Sequence, residues 1–266
     1  RLLWDAEAIA TGPSEIRTRR AEAALATLHD WETSNTAGYG VNWTFGMEVA
    51  IRGAVLAVIC GVLARDLDDA ATDRLAALLR AHQKFLARFP EVSDVPGNHY
   101  LADLMGEVVL TAALDGLESP RTTHALEVFT SAAEAQFEEG GCHLERATVY
   151  HRLALDIFAL PYALDLRARH ASTGTMAGIM SRAAAFMGEI TSDAGRLPVF
   201  GDQDSGFALW FNEAAQQADI RLCGAPAAPE TDLYSFLRAL AGTSALFPDV
   251  PRQSGVRSGF ASVASG

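Results

Sequence analysis

A chain of 266 residues, 49% of them hydrophobic, can bury one large core, and no Pro/Gly/Ser-rich linker divides it into two self-sufficient halves. The net charge of -12 at pH 7 argues against a general nucleic-acid or membrane-surface binder, because both targets are anionic and reward a basic face. An anionic ligand would need a locally basic cleft.

Cys60, Cys142 and Cys223 are odd in number and lack C-x-x-C spacing, so neither a disulfide framework nor a cysteine zinc site is supported. Lys84 is the only lysine. The arginines that supply the other cations suit bidentate contacts with carboxylate or sulfate, although a GC-rich coding sequence gives the same bias. Because Arg1 rather than Met stands first, the lack of a leader segment says nothing about compartment.

Apolar residues at three- and four-residue spacing predict helices over residues 14–32, 47–65, 70–88, 99–115, 121–138, 148–169, 173–190 and 232–241. The apolar run 53–63 is flanked by Glu48, Arg52, Arg65 and Asp66 and falls short of the ~20 residues needed to span a bilayer. It reads as a buried helix, and no membrane insertion is expected. Punctuating stretches at 35–46, 90–97, Gly140-Gly141 and 193–206 fit loops between antiparallel helices.

An all-α fold follows, and its helices could form a bundle, an α-solenoid, or hairpins closing into an incomplete (α/α) toroid. The missing sequence period weakens the solenoid. From Pro248 onward glycines recur among Ser, Val and Phe, and residues 258–263 could begin a β-strand. Residues 1–247 are therefore expected to form the helical domain, and 248–266 the start of a β domain or a linker.

Two polar clusters stand beside apolar helical segments, where an unpaired polar group is costly. Asn98-His99 follows Pro96-Gly97 at a predicted helix start, a position that favours a negative ligand such as a carboxylate; the alternative is an Asn98 N-cap with His99 packed in the first turn. Tyr150, His151 and Arg152 follow a turn eased by Gly140-Gly141 and led by Glu145. A phenol there could exchange a proton, or Tyr150 could be a core residue with a satisfied hydroxyl while His151 and Arg152 lie at a polar surface.

Asn42-Trp43 precedes Glu48 and Arg52, which are four apart on one helix face. Trp43 could stack on a sugar or plug the core, and the Glu48–Arg52 pair could be structural. The segment Gly201 to Gly206 lacks the later glutamate of a calcium loop, which leaves Asp202 as a helix cap or an orienting residue. The remaining histidines show no H-E-x-x-H pattern. No metal site and no cofactor are expected.

Taken in order, Val41-Asn42-Trp43 with Gly46 to Arg52, Gly97-Asn98-His99-Tyr100-Leu101-Ala102, Glu145 with Tyr150-His151-Arg152-Leu153, and Arg196 to Gly206 resemble the heparinase II/III-like polysaccharide lyases. The resemblance spans most of the chain. It implies an incomplete (α/α) toroid, followed in complete members by a β-sandwich, and β-elimination on an acidic, uronic-acid-containing polysaccharide.

By that resemblance Asn98 with His99 neutralises the uronate carboxylate, and Tyr150 protonates the departing glycosidic oxygen and can also act as base; the other base in such lyases can be His99 or a residue of the β-sandwich. Asn42, Trp43, Glu48, Arg52, Glu145, His151, Arg152 and Asp202 would line the substrate. A periplasmic or secreted location is also implied. Where family members carry Glu-x-Ser-Thr-x-Tyr-His-Arg, Ala147 replaces the serine here. Two other readings of the same residues are a uronyl C5-epimerase, which needs the same carboxylate clamp, and a non-catalytic glycan-binding protein of exopolysaccharide metabolism.

Overall fold

The computed structural model describes residues 2–11, 13–64, 66–168, 171–190, 198–202 and 208–209. Its helices are α1 (Leu2–Thr11), α2 (Ser14–Ser34), α3 (Gly46–Leu63), α4 (Asp69–Arg88), α5 (Asn98–Asp115), α6 (Pro120–Gln136), α7 (Thr148–Ala168) and α8 (Thr173–Ile190), with a short 3-10 turn at Val41–Trp43 before α3. Seven of the predicted helices match to within a few residues. The apolar N-terminal segment adds α1, which periodicity had not resolved. The predicted helix at 232–241 and the tail from 248 lie outside the described residues.

Consecutive helices pair as antiparallel hairpins, α1 on α2, α3 on α4, α5 on α6 and α7 on α8, while α1, α3, α5 and α7 also pack on one another in sequence. That pattern defines two layers, with α1, α3, α5 and α7 inside and the even-numbered helices outside. The fold is all-α and toroid-like. Residue character follows the layer: α3 buries residues on every face, from Val49 and Ala50 to Val62 and Leu63, whereas α2 buries only Ala21, Ala24 and Leu28. An inner helix is walled by neighbours on all sides and must be apolar all round.

The 18-residue α3 is apolar enough to cross a membrane by composition, yet 72% of it is buried inside this fold. Its apolar character serves the core.

Small residues set the spacing of α3 against α5. A Cβ on Gly46 would lie 2.7 Å from Asp103 Oδ1, one on Gly106 would lie 2.8 Å from Ala50 Cβ, and one on Gly53 would lie 3.1 Å from Leu110 Cδ1. The contacts advance together along both helices, so α3 and α5 run parallel. Each outer helix carries the chain back, and the loops that lead into α3, α5 and α7 therefore meet on one rim.

Two Asp/Ser caps follow the expected chemistry on the outer layer, where Asp68 accepts from Ala71 N at the start of α4 and Ser119 from Thr122 N at the start of α6. The inner helices α3 and α5 have no side-chain cap from their own N-cap residue.

Gly106→Val is expected to destabilise the fold by about 3 kcal/mol, because the neighbouring Ala50 backbone cannot give way to the added methyls. Gly178→Ala, where the new Cβ meets nothing closer than Arg182 Nη1 at 3.4 Å, is expected to stabilise by about 0.5–1 kcal/mol through helix propensity. Urea unfolding of the two variants measures both.

Candidate active site

The rim is held together by groups that reach from one hairpin to the helix start of the preceding one. Glu91, in the loop before α5, accepts Met47 N of α3 at 3.2 Å. Glu145, in the loop before α7, accepts Asn98 N of α5 at 2.6 Å. Phe200 O, in the next described segment, accepts Thr148 N of α7 at 3.0 Å, and Thr148 Oγ1 donates to Pro198 O at 2.9 Å. Each satisfies an N–H that its own helix leaves unpaired, and the two carboxylates also suit the positive end of the helix dipole.

Asn98 is thus the first residue of α5 and not its cap. Glu145 clasps it twice, since Asn98 Nδ2 also donates to Glu145 Oε2 at 2.9 Å. Asn98 is 2% exposed, and its Oδ1 is buried without a hydrogen-bond partner among the described residues. Gly97 makes the clasp possible, because a Cβ there would strike the Glu145 carboxylate.

His99 is exposed beside Asn98, and its Nδ1 donates to Glu91 Oε2 at 2.8 Å. Beneath it Asp103 Oδ2 accepts Glu91 N at 2.7 Å. Burial pushes the Asp103 carboxyl up to about 6, against the lowering effect of that hydrogen bond. Tyr150 stands in the first turn of α7, half-buried and packed against the core.

His151 and Arg152 are buried in α7, not at a polar surface. His151 Nδ1 accepts from His143 N at 3.1 Å, and its Nε2 donates to Ala183 O of α8 at 3.0 Å. With both ring nitrogens spent on backbone, His151 belongs to the wall that holds the loop before α7 and not to a substrate-facing surface. His143, one of the histidines without an H-E-x-x-H pattern, is fully buried; its Nε2 donates to Gln136 Oε1 at 3.1 Å. Burial drives both imidazoles down to about 4.

The residues before α3 form a separate structural knot. Trp43 is 5% exposed, its ring 4.6 Å from His82 and 5.6 Å from Phe85. It plugs the core, and so the stacking role considered for it has no open ring face. Arg52 lies over Trp31 and Trp43 at 5.0 and 5.1 Å, donating from Nε to His82 Nε2 at 3.1 Å and from Nη2 to Asn42 O at 2.6 Å. Asn42 in turn donates to Asn35.

These bonds engage Asn42 and Arg52 in holding the loop. Glu48 remains exposed one turn away, acting on Arg52 through its charge. His82 also donates from Nδ1 to Leu78 O at 2.9 Å, and burial holds it at about 4.

Asp202 is exposed immediately after Gly201, whose φ of 73° and close approach to Ala147 exclude a side chain.

The rim therefore brings together Asn98, His99 and Glu145 from the start of α5 and the loop before α7, while Tyr150 stands in the first turn of α7. Sequence reasoning missed Glu91 and Asp103. Asp103 was discoverable as the residue one turn below His99 on the same helix face; Glu91, in a loop without periodicity, was not.

Stability near the rim is expected to depend on pH. The unfolded chain protonates its histidines below about 6.5, whereas His82, His143 and His151 resist until about 4. Their contribution is complete above 6.5 and is lost as pH falls towards 4. Asp103, raised from 3.8 to about 6, works in the opposite sense and adds stability as pH falls through 6.

With three histidines against one aspartate, the urea midpoint is expected to fall between pH 7 and about pH 5, with the three imidazoles still neutral by NMR. Gly97→Ala is expected to push Glu145 off Asn98 with little loss of helix content, and the loss of both clasp bonds would be read from the Asn98 amide shifts.

Comparison with known protein-family models, and with curated proteins, returns no match. Among solved structures, the crystal structure of heparinase III is similar, with a TM-score of 0.53 and 14% sequence identity over 76% of this chain and 31% of that one. The chain spans less than a third of the length of heparinase III, and what the two share is the helical, toroid-like fold.

Proposed function

We propose that this protein is a polysaccharide lyase that cleaves a uronic-acid-containing polysaccharide by β-elimination. The reading rests on the start of α5, where Asn98 and His99 are presented side by side and each is held by a separate carboxylate. Asn98 keeps a second amide hydrogen beyond the one given to Glu145, together with a buried oxygen that has no partner. The second amide hydrogen is the group that can meet a carboxylate, since the amide oxygen only accepts. The fold likeness to heparinase III supports the same class of chemistry.

In this mechanism Asn98 and the N-terminal end of α5 stabilise the negative charge that builds on the uronate carboxylate as the proton on carbon 5 is removed. Tyr150, in the first turn of the neighbouring inner helix, gives its proton to the glycosidic oxygen leaving carbon 4. The products are an unsaturated uronate and a new reducing end, with no water consumed.

The test is ultraviolet absorbance of the conjugated double bond while the purified protein is incubated with a panel of acidic polysaccharides. Wild type is expected to generate the signal on at least one polymer, with Asn98→Ala and Tyr150→Phe each lowering kcat/KM about a hundredfold or more. Inversion at carbon 5 without absorbance would replace the lyase with an epimerase, and binding indifferent to both substitutions would replace it with a glycan-binding role.

A further inference from the structure

We propose that Glu91 is the positioning residue for His99, fixing its tautomer so that Nε2 is the nitrogen offered to the substrate. The proposal rests on the lyase reading and concerns how His99, a base open to that reaction, is held.

The geometry carries the argument. Glu91 Oε2 accepts from His99 Nδ1 at 2.8 Å and from Met47 N at 3.2 Å, so one oxygen ties the base candidate to the start of α3. The backbone of Glu91 is itself fixed, because its N–H donates to Asp103 Oδ2 at 2.7 Å, one turn below His99 on α5. Asp103 is 4% exposed, and its Oδ1 is buried without a partner among the described residues. Gly46 admits this arrangement, since a Cβ there would lie 2.7 Å from Asp103 Oδ1 and 3.1 Å from Glu91 Cγ. Asp103 thus pins the loop, the loop carries Glu91, and Glu91 pins an imidazole that is otherwise exposed.

A carboxylate can only accept, so the Glu91 contact requires a proton on Nδ1. In the neutral ring the lone pair then belongs to Nε2, on the far side from Glu91. That nitrogen cannot donate to a uronate carboxylate, but it can take a proton. In the elimination, Nε2 takes the proton from carbon 5, the C–H electron pair becomes the C4=C5 double bond, the C4–O4 bond breaks, and O4 takes the proton of Tyr150. The imidazolium that forms faces Glu91, which stabilises its charge. Solvent then carries the proton from His99 back to Tyr150 and restores both groups.

The first measurement needs no substrate. Ring-nitrogen NMR of His99 in the wild-type protein at neutral pH is expected to show the Nδ1–H tautomer. Glu91→Ala is expected to shift it towards Nε2–H, and Glu91→Gln, whose amide oxygen still accepts, to preserve it. With substrate, Glu91→Gln is expected to lower kcat about tenfold or more with KM little changed, because the counter-charge for the imidazolium is lost while the position is kept.

If Glu91→Ala fails to fold, the ring-nitrogen spectrum of the wild-type protein alone decides: an Nε2–H tautomer of His99 overturns the proposal. An unchanged tautomer in a folded Glu91→Ala also overturns it. If the tautomer depends on Glu91 but the wild type makes no unsaturated product from any polymer, the positioning role stands and the lyase reading falls.

Discussion

The structure depends on one kind of interaction, the closing of the first turns of α3, α5 and α7 by a group from a later loop or segment. Glu91 serves α3, Glu145 serves α5 and the Phe200 carbonyl serves α7. Exposed helix ends are commonly capped by their own flanking residue, and the outer helices α4 and α6 follow that rule. At the crowded inner rim the neighbouring loop supplies the acceptor. Capping and the joining of hairpins are there the same bonds, so the rim is rigid where the candidate chemistry sits.

The same arrangement decides where the acidic groups of a chain of net charge -12 are engaged at the rim. Glu91 and Glu145 are spent on N–H donors, and burial shifts Asp103 towards its neutral form. Parallel inner helices bring their positive dipole ends to the same rim. Local fields there are set by where charges are engaged more than by their total number.

Much of the fold was legible because inner and outer helices obey different solvent rules. The near-continuous apolar character of α3 and the stripes of α4 read directly as a buried and a half-buried helix. The short motif around Asn98 likewise pointed to a helix start. Partners separated by many residues were not legible: periodicity says nothing about Glu145 reaching Asn98, or about Arg52 settling over Trp31 and Trp43 instead of pairing along its own helix. Burial likewise decided His151, whose neighbours Tyr150 and Arg152 invited a surface reading until Ala183 and His143 took both its nitrogens.

Capping by a later loop or segment has a consequence for how the protein is made. Synthesis runs from the N-terminus, and α5 leaves the ribosome well before Glu145 does. Until the loop before α7 emerges, Asn98 has neither the acceptor for its backbone N–H nor the one for its amide. The starts of α3 and α5 thus wait for Glu91 and Glu145, so the ordered site is a late product of chain growth, and a nascent chain that stops before the loop leading into α7 would carry Asn98 and His99 in sequence but not yet in working geometry.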